Sequence, residues 1–336
     1  MFSTEVLNWF DVHGRHHLPW QRNKDAYEVW LSEIMLQQTQ VITVIPYFEK
    51  FIAKFPSLLL LAKAHQDEVL ALWSGLGYYS RARNIHKAAQ LIETEHQGVF
   101  PQTAEELIKL PGIGPSTAHA ILSIVWNKPL AILDGNVKRV LTRYHGVFGS
   151  PYQSKIEKEL WLIAQQHMPT DRAGDYTQAI MDFGATLCTR SNPNCSNCPL
   201  AAKCVAKQKN LQNELPTKKA KVNKPVKETD IYLVENIKGD ILLEKRASKG
   251  LWGGLWTLPG SNSDVFATQL QLPNKMKTTV ISRFRHTFSH FHLDISAIQL
   301  KAWTNLKLNE NQQWFPLNEA LTLGLPRAIE KILTEV

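Results

Sequence analysis

The sequence predicts a mainly α N-terminal region over residues 1–205 and an α+β C-terminal domain over 229–336, joined by a lysine-rich linker over 206–228. Three observations carry this division. Apolar residues recur at every third and fourth position through the first region, the spacing of a buried helix face. After Thr229 the pattern shortens to strand-like runs at Ile231–Val234, Ile241–Leu243, Thr279–Ile281 and His292–Ile298, closed by a helix over Leu325–Leu333. Between them, residues 203–227 hold lysines at 203, 207, 209, 218, 219, 221, 224 and 227 and a single acid, Glu214. That run carries most of the formal net charge of +8, so the basic surplus is local and suits a salt-sensitive contact with a polyanion.

Taken in order, Tyr27–Leu36, Val41–Phe51, Leu58–Leu72, Ile85–Ile92 and Ile156–Ile163 read as helices. Pro19, Pro46, Pro56, Pro101, Pro111, Pro129 and Pro151 read as boundaries between them. Thr103 with Glu106 forms a capping box ahead of Leu107 and Leu110. At 336 residues the chain is too long for one core, and 44% hydrophobic residues exclude a mainly disordered chain. The apolar runs Leu58–Ala62 and Ala120–Trp126 fall far short of the ~20 residues a bilayer needs. Met1–Val12 lacks the basic start and apolar block of a signal peptide. The expectation is a cytoplasmic, monomeric protein.

Six motifs carry chemistry. Leu110-Pro-Gly-Ile-Gly-Pro-Ser-Thr-Ala joins two helices through Gly112 and Gly114, a helix-hairpin-helix whose backbone can approach a DNA phosphate. Asp134, in Ile132-Leu-Asp-Gly-Asn-Val-Lys-Arg-Val, stands at a helix start, where it either caps the helix or faces a developing cation. Glu33 shares a helix face with Val29 and Trp30, and apolar surroundings raise a carboxyl pKa towards that of a general acid. Cys188, Cys195, Cys198 and Cys204 are spaced C-x6-C-x2-C-x5-C. Four thiolates hold zinc or an iron–sulfur cluster; only Cys195 and Cys198 form a zinc-like C-x2-C pair, which favours the cluster. Gly75-Leu-Gly-Tyr-Tyr-Ser-Arg-Ala-Arg offers Tyr78 as a wedge into a base stack, with Arg81 and Arg83 as phosphate clamps. Elsewhere Lys138 and Arg139 would meet DNA by position. His286, His290 and His292 fall on one face of a strand, as solvent or ligand contacts or a three-histidine zinc site.

Together these stretches, with Leu18-Pro-Trp, Ser32-Glu-Ile-Met-Leu-Gln-Gln-Thr-Gln-Val and Phe288-Ser-His, resemble the MutY-type adenine glycosylases of the helix-hairpin-helix superfamily over nearly the whole chain. The resemblance implies a six-helix domain and a [4Fe–4S] domain gripping double-stranded DNA, and a Nudix-like C-terminal domain inspecting 8-oxoguanine. It implies excision of adenine paired with 8-oxoguanine or guanine. Glu33 would be the general acid and Asp134 would stabilise the oxocarbenium-like sugar. Trp20, Ser116, Asn136 and Gln178 would line the adenine pocket. Gln38, Thr39, Tyr78, Arg81, Gly112 and Gly114 would meet DNA, and Phe288, Ser289 and His290 the oxidised base. Related endonuclease III enzymes place a lysine where Ser116 stands, and a hydroxyl forms no Schiff base, so a monofunctional enzyme is expected. A bifunctional glycosylase-lyase and a non-catalytic DNA-binding module are the alternatives. Gly250-Leu-Trp-Gly-Gly-Leu-Trp resembles the lead-in of a Nudix hydrolase, yet Asp264 is the only acid between Ser261 and Leu293, so pyrophosphohydrolase chemistry is disfavoured.

Overall fold

The computed structural model describes residues 1–218, 223–260, 279–301 and 308–335. The chain falls into two compact units, Met1–Ala62 with Lys87–Lys221, and Lys63–His86 with Val222–Val336. Among the described residues no helix is long and apolar enough to cross a membrane.

The helices, in chain order, are α1 (Phe2–His13), α2 (Ala26–Leu36), α3 (Val41–Lys54), α4 (Leu58–Lys63), α5 (Gln66–Leu72) and α6 (Ser80–Glu95). They continue as α7 (Ala104–Lys109), α8 (Pro115–Trp126), α9 (Gly135–His145), α10 (Ser154–His167), α11 (Ala173–Asp182) and α12 (Val205–Gln208). In the first unit α8 is the central helix: α2 and α11 pack on it, and α1 packs on α11. Its buried Ala118, Ala120, Ile121, Leu122 and Ile124 leave little polar surface, as expected of a helix covered by neighbours. Asp25 caps α2 by accepting the N–H groups of Tyr27 and Glu28, which fixes where that helix starts and so where Glu33 falls.

The second unit holds a mixed sheet. Its strands are β1 (Val226–Glu235), β2 (Ile241–Lys245), β3 (Trp256–Thr257), β4 (Thr279–Thr287), β5 (His292–Lys301) and β6 (Gln312–Phe315), followed by α13 (Leu317–Ala320) and α14 (Arg327–Thr334). The order is β3-β2-β1-β5-β4, with β6 on β2; β1 and β5 run parallel. Alternate residues Ile231 and Leu233, with Leu293, Ile295 and Ala297, meet Ile329, Ile332 and Leu333 of α14 in one core.

Four sequence expectations are corrected. The periodic run Leu58–Leu72 is two helices, because His65 caps α5: its Nδ1 accepts the Asp67 N–H and Glu68 accepts the His65 N–H. Pro46 lies inside α3 and ends nothing; the helix continues because Val44, Phe48 and Phe51 bury their side chains across it. The lysine-rich linker expected over 206–228 is anchored over residues 206–217: Ala206 and Leu215 are buried, and the carbonyls of Gln212 and Leu215 accept from Arg143. Residues 63–86 belong with the C-terminal unit, whereas the sequence placed them in the helical region. The acid-poor stretch around Asp264 lies outside the described residues. At Thr103 half the capping box forms; the hydroxyl accepts from the Glu106 N–H and itself donates to the Glu106 carboxylate.

Candidate active site

A cavity of about 750 Å³ opens within the first unit, and Trp20, Glu33, Gln38, Thr39, Ser116, Asp134, Asn136 and Gln178 all line it. Five stretches far apart in sequence supply these residues. Glu33 projects from α2 beside buried Trp30, Leu31 and Ile34, half-buried in accessible area yet walled by protein. Burial, with the charge of Asp134 next, pushes the Glu33 carboxyl up to about 8. Burial raises Asp134 as well, but the backbone N–H groups of Val137 and Asn136 and the charge of Arg139 oppose it. Two carboxyls in one cavity do not ionise together readily. Asp134 has donors to hold the charge, so Glu33 keeps the proton. The two readings of Asp134 are therefore compatible: it caps α9 with one oxygen, 2.7 Å from the Val137 nitrogen, and lines the cavity.

The side chains around this pair are held in place. Asn136 donates to the other Asp134 oxygen at 3.2 Å and accepts from Arg139 Nη2 at 2.9 Å. Arg139 also donates to the Gly184 carbonyl at 2.6 Å and the Cys188 carbonyl at 2.8 Å. Gly184 sits in a turn of π-helix, Phe183–Leu187, where an added Cβ would lie 2.6 Å from the Asn136 Cβ. Ser116 accepts the Leu133 N–H at 3.0 Å and so fixes the segment leading to Asp134. Gln21 donates to the Gln178 carbonyl oxygen at 2.9 Å, orienting that amide. Trp20 is buried with its ring edge-on to Phe48. Sequence reasoning missed Arg15, whose guanidinium pairs with buried Asp182 at 2.5 Å, both lining the cavity. Gln178 and Asp182 lie four residues apart on α11, a helical spacing that was available as a signal.

The hairpin is α7, a turn and α8. Gly112 has φ +83°, and an added Cβ at Gly114 would meet nothing within 4 Å, so the turn's surface is open to a ligand. Gln37 donates to the Gly112 carbonyl at 3.4 Å, tying the loop of Gln38 and Thr39 to the hairpin. The four cysteines line one cavity with Arg143. Arg143 Nη1 lies 3.4 Å from Cys188 Sγ, and its other bonds go to the carbonyls of Thr189, Arg190, Gln212 and Leu215. Gln212 donates towards Cys195 Sγ at 4.0 Å. Burial, then the neighbouring cysteines, pushes the Cys198 thiol up to about 12, so its thiolate is favoured only beside a cation. Among the described residues no three histidine, cysteine or acidic side chains are arranged for a single metal ion.

In the C-terminal unit Phe288, Ser289 and His290 form the turn between β4 and β5. Phe288 stacks on Phe291 at 4.6 Å and donates its backbone N–H to the Phe291 carbonyl, leaving Ser289 and His290 exposed. His286 and His292 therefore lie on opposite strands of a hairpin, which corrects the single strand face expected for the three histidines. The expected phosphate clamps are corrected too. Arg81 is 6% exposed and donates to the Leu76 and Gly77 carbonyls, and Arg83 donates to the Gly253 carbonyl at 2.6 Å. Lys138 pairs with Glu157 at 2.7 Å, and Arg139 serves the cavity wall. A guanidinium buried among carbonyls braces a loop rather than meeting solvent-borne phosphate.

Residues 31–166 match the HhH-GPD superfamily base excision DNA repair proteins, and residues 231–335 match the NUDIX domain. A structure of a thermostable thymine-DNA glycosylase superposes with a TM-score of 0.57 and 26% identity, over 62% of this chain and 95% of that one. The adenine DNA glycosylase of Homo sapiens is 33% identical, over 98% of this chain and 73% of its own. That of Buchnera aphidicola subsp. Schizaphis graminum is 41% identical, over 99% of this chain and 98% of its own. A likeness that runs through both units at nearly full length places the chain in the adenine DNA glycosylase family of base excision repair.

Proposed function

We propose that the chain hydrolyses the N-glycosidic bond of adenine paired with 8-oxoguanine or guanine in duplex DNA, leaving an abasic site in an uncut strand. The observation that carries this is the carboxyl pair: Glu33 keeps a proton to about pH 8 in a cavity where Asp134 is held by N–H donors. Adenine leaves poorly as an anion, so it must gain a proton as the C1′–N9 bond breaks. Glu33 delivers that proton to the adenine ring. The sugar becomes oxocarbenium-like, and the Asp134 carboxylate stabilises it. Glu33, now ionised, accepts a proton from the water that adds to C1′, which restores the acid.

The base must leave the duplex first, and a cavity of about 750 Å³ has room for a flipped nucleoside. The Asn136 and Gln178 amides meet its polar edge beside Trp20. Gln38, Thr39 and Tyr78 fill the gap, while Gly112 and Gly114 present the hairpin to a phosphate. Phe288, Ser289 and His290 contact the opposite base. Ser116 offers a hydroxyl, not an amine, so no Schiff base forms and no strand is cut.

Cys188, Cys195, Cys198 and Cys204 hold a [4Fe–4S] cluster. Four soft ligands around one cavity, with Arg143 and Gln212 donating towards two of the sulfurs, suit such an anionic group. When bound, it supplies the metal–sulfur bonds that close the 188–204 loop.

Single-turnover excision by Glu33→Gln and Asp134→Asn tests the assignment. Each loses about 10²–10⁴-fold in rate, the range of a general acid or a charge stabiliser, with DNA affinity retained. Parent-like excision in either variant would overturn that residue's role. Strand cleavage trapped by borohydride would overturn the monofunctional reading.

A further inference from the structure

The loop that carries Tyr78 is built into the C-terminal unit. Residues 63–86 cluster with 222–336, and the contacts are specific. Tyr79 donates its hydroxyl to the Leu325 carbonyl at 3.0 Å, and Ser74 donates to the same carbonyl at 2.9 Å. The Tyr79 oxygen also accepts the Gly75 N–H at 3.3 Å, so one phenol joins the loop to the chain beyond β6. Asp67 pairs with Lys245 at 2.7 Å. Gly324 lies so close to α5 that an added Cβ would stand 2.9 Å from the Leu70 Cβ.

This anchoring matters because the loop's conformation is unfavourable. Gly75 and Gly77 have φ of +90° and +74°, and Tyr78, which has a Cβ, has φ +49°. A non-glycine residue keeps that conformation when its surroundings impose it. The Tyr78 side chain is 47% exposed. On the other side of Leu325, its side chain shares a core with Phe291, Leu293 and Ile329, and Phe288 packs against that core. A continuous packed path thus runs from the Phe288–His290 turn through Leu325 to Tyr79, and Tyr79 adjoins Tyr78 in sequence.

We propose that Tyr79 is a positioning residue: through the Leu325 carbonyl, the C-terminal unit holds Tyr78 in the conformation that inserts into the duplex. The domain that meets the base opposite adenine then also sets the loop that opens the stack. This rests on the reading of Tyr78 as a wedge.

The test uses the full-length protein and an adenine:8-oxoguanine duplex with 2-aminopurine beside the 8-oxoguanine, whose fluorescence rises on unstacking. Tyr79→Phe keeps the ring and removes the hydroxyl. It lowers the fluorescence rise and slows single-turnover excision about three- to tenfold, the effect of one neutral hydrogen bond. In a Tyr78→Ala background the same substitution adds nothing, because the two act as one unit. Gly324→Ala, which adds a methyl group against α5, lowers the fluorescence rise in the same direction. A parent-like rise in Tyr79→Phe, or losses that add in the double variant, overturns the coupling while the wedge stands. An unchanged rise in Tyr78→Ala overturns the wedge reading, and the coupling with it.

Discussion

Glu33 and Asp134 line one cavity walled by helices of the first unit, Glu33 among buried neighbours and Asp134 among N–H donors. Ser289 and His290 instead stand in solvent at the tip of a hairpin, supported from below by the stacked rings of Phe288 and Phe291. The first region shifts proton affinities, which requires burial. The second presents hydrogen-bonding groups to solvent, which requires only a rigid mount. Damage at the two places should therefore look different. Cavity changes alter the rate of bond breaking on every substrate, and turn changes alter which opposite base is preferred.

The largest expected effect lies beneath the cavity. Arg143→Ala removes the donors to four carbonyls and to the Cys188 sulfur. The bond to Leu215 is buried and the others are partly so, and a buried carbonyl left unpaired costs about 1–3 kcal/mol, so the loss is a large fraction of a domain's stability. Thermal denaturation together with iron and sulfide analysis checks it; a parent-like melting temperature and full iron content would contradict the account. Next is Gly184→Ala, whose methyl group drives into Asn136. Excision should fall about 10²-fold, the cost of a 1 Å displacement in an active site, on adenine:8-oxoguanine and adenine:guanine alike. Unequal losses on the two duplexes would break the comparison. The smallest is Ser289→Ala, which should narrow the preference for 8-oxoguanine over guanine about three- to tenfold, one hydrogen bond's worth, with the adenine:guanine rate unchanged. A matching loss on both duplexes would place the turn in catalysis instead of recognition.

The cavity also ties pH to stability. The folded-state pKa of Glu33 is raised from 4.5 to about 8, so its contribution is fully present below 4.5 and is lost as pH rises through about 8. Glu33→Gln removes that penalty. Its melting temperature should exceed the parent's above pH 8 while its excision is lost, and the difference should shrink towards pH 5. A variant less stable than the parent at pH 9 would show that the carboxyl is not strained by burial.

The two carboxyls were singled out from local pattern, whereas Trp20, Asn136 and Gln178 came only from the family resemblance. Glu33 shares its helix face with Val29 and Trp30, and Asp134 announces a helix start, so motif and spacing located both. The braces were not legible. Arg81 and Arg83 read as phosphate clamps because sequence shows charge but not which carbonyls surround it. Arg139 and Arg143 look like exposed helix residues until the 184–215 chain folds over them. The assignment of residues 63–86 to the C-terminal unit depends on contacts with Lys245, Gly253 and Leu325, more than 160 residues away, and no local pattern encodes these. The split at His65 was missed because histidine is an uncommon helix cap.

The central claim is that Glu33 is a protonated acid at neutral pH because the cavity makes it one. Infrared difference titration of the parent against Glu33→Gln reads this carboxyl directly, without relying on turnover. The account predicts a protonated carboxyl band at pH 7 that disappears at about pH 8, and at lower pH when Asp134→Asn removes the neighbouring charge. A Glu33 carboxyl already ionised at pH 6, or a midpoint indifferent to Asp134→Asn, would contradict it.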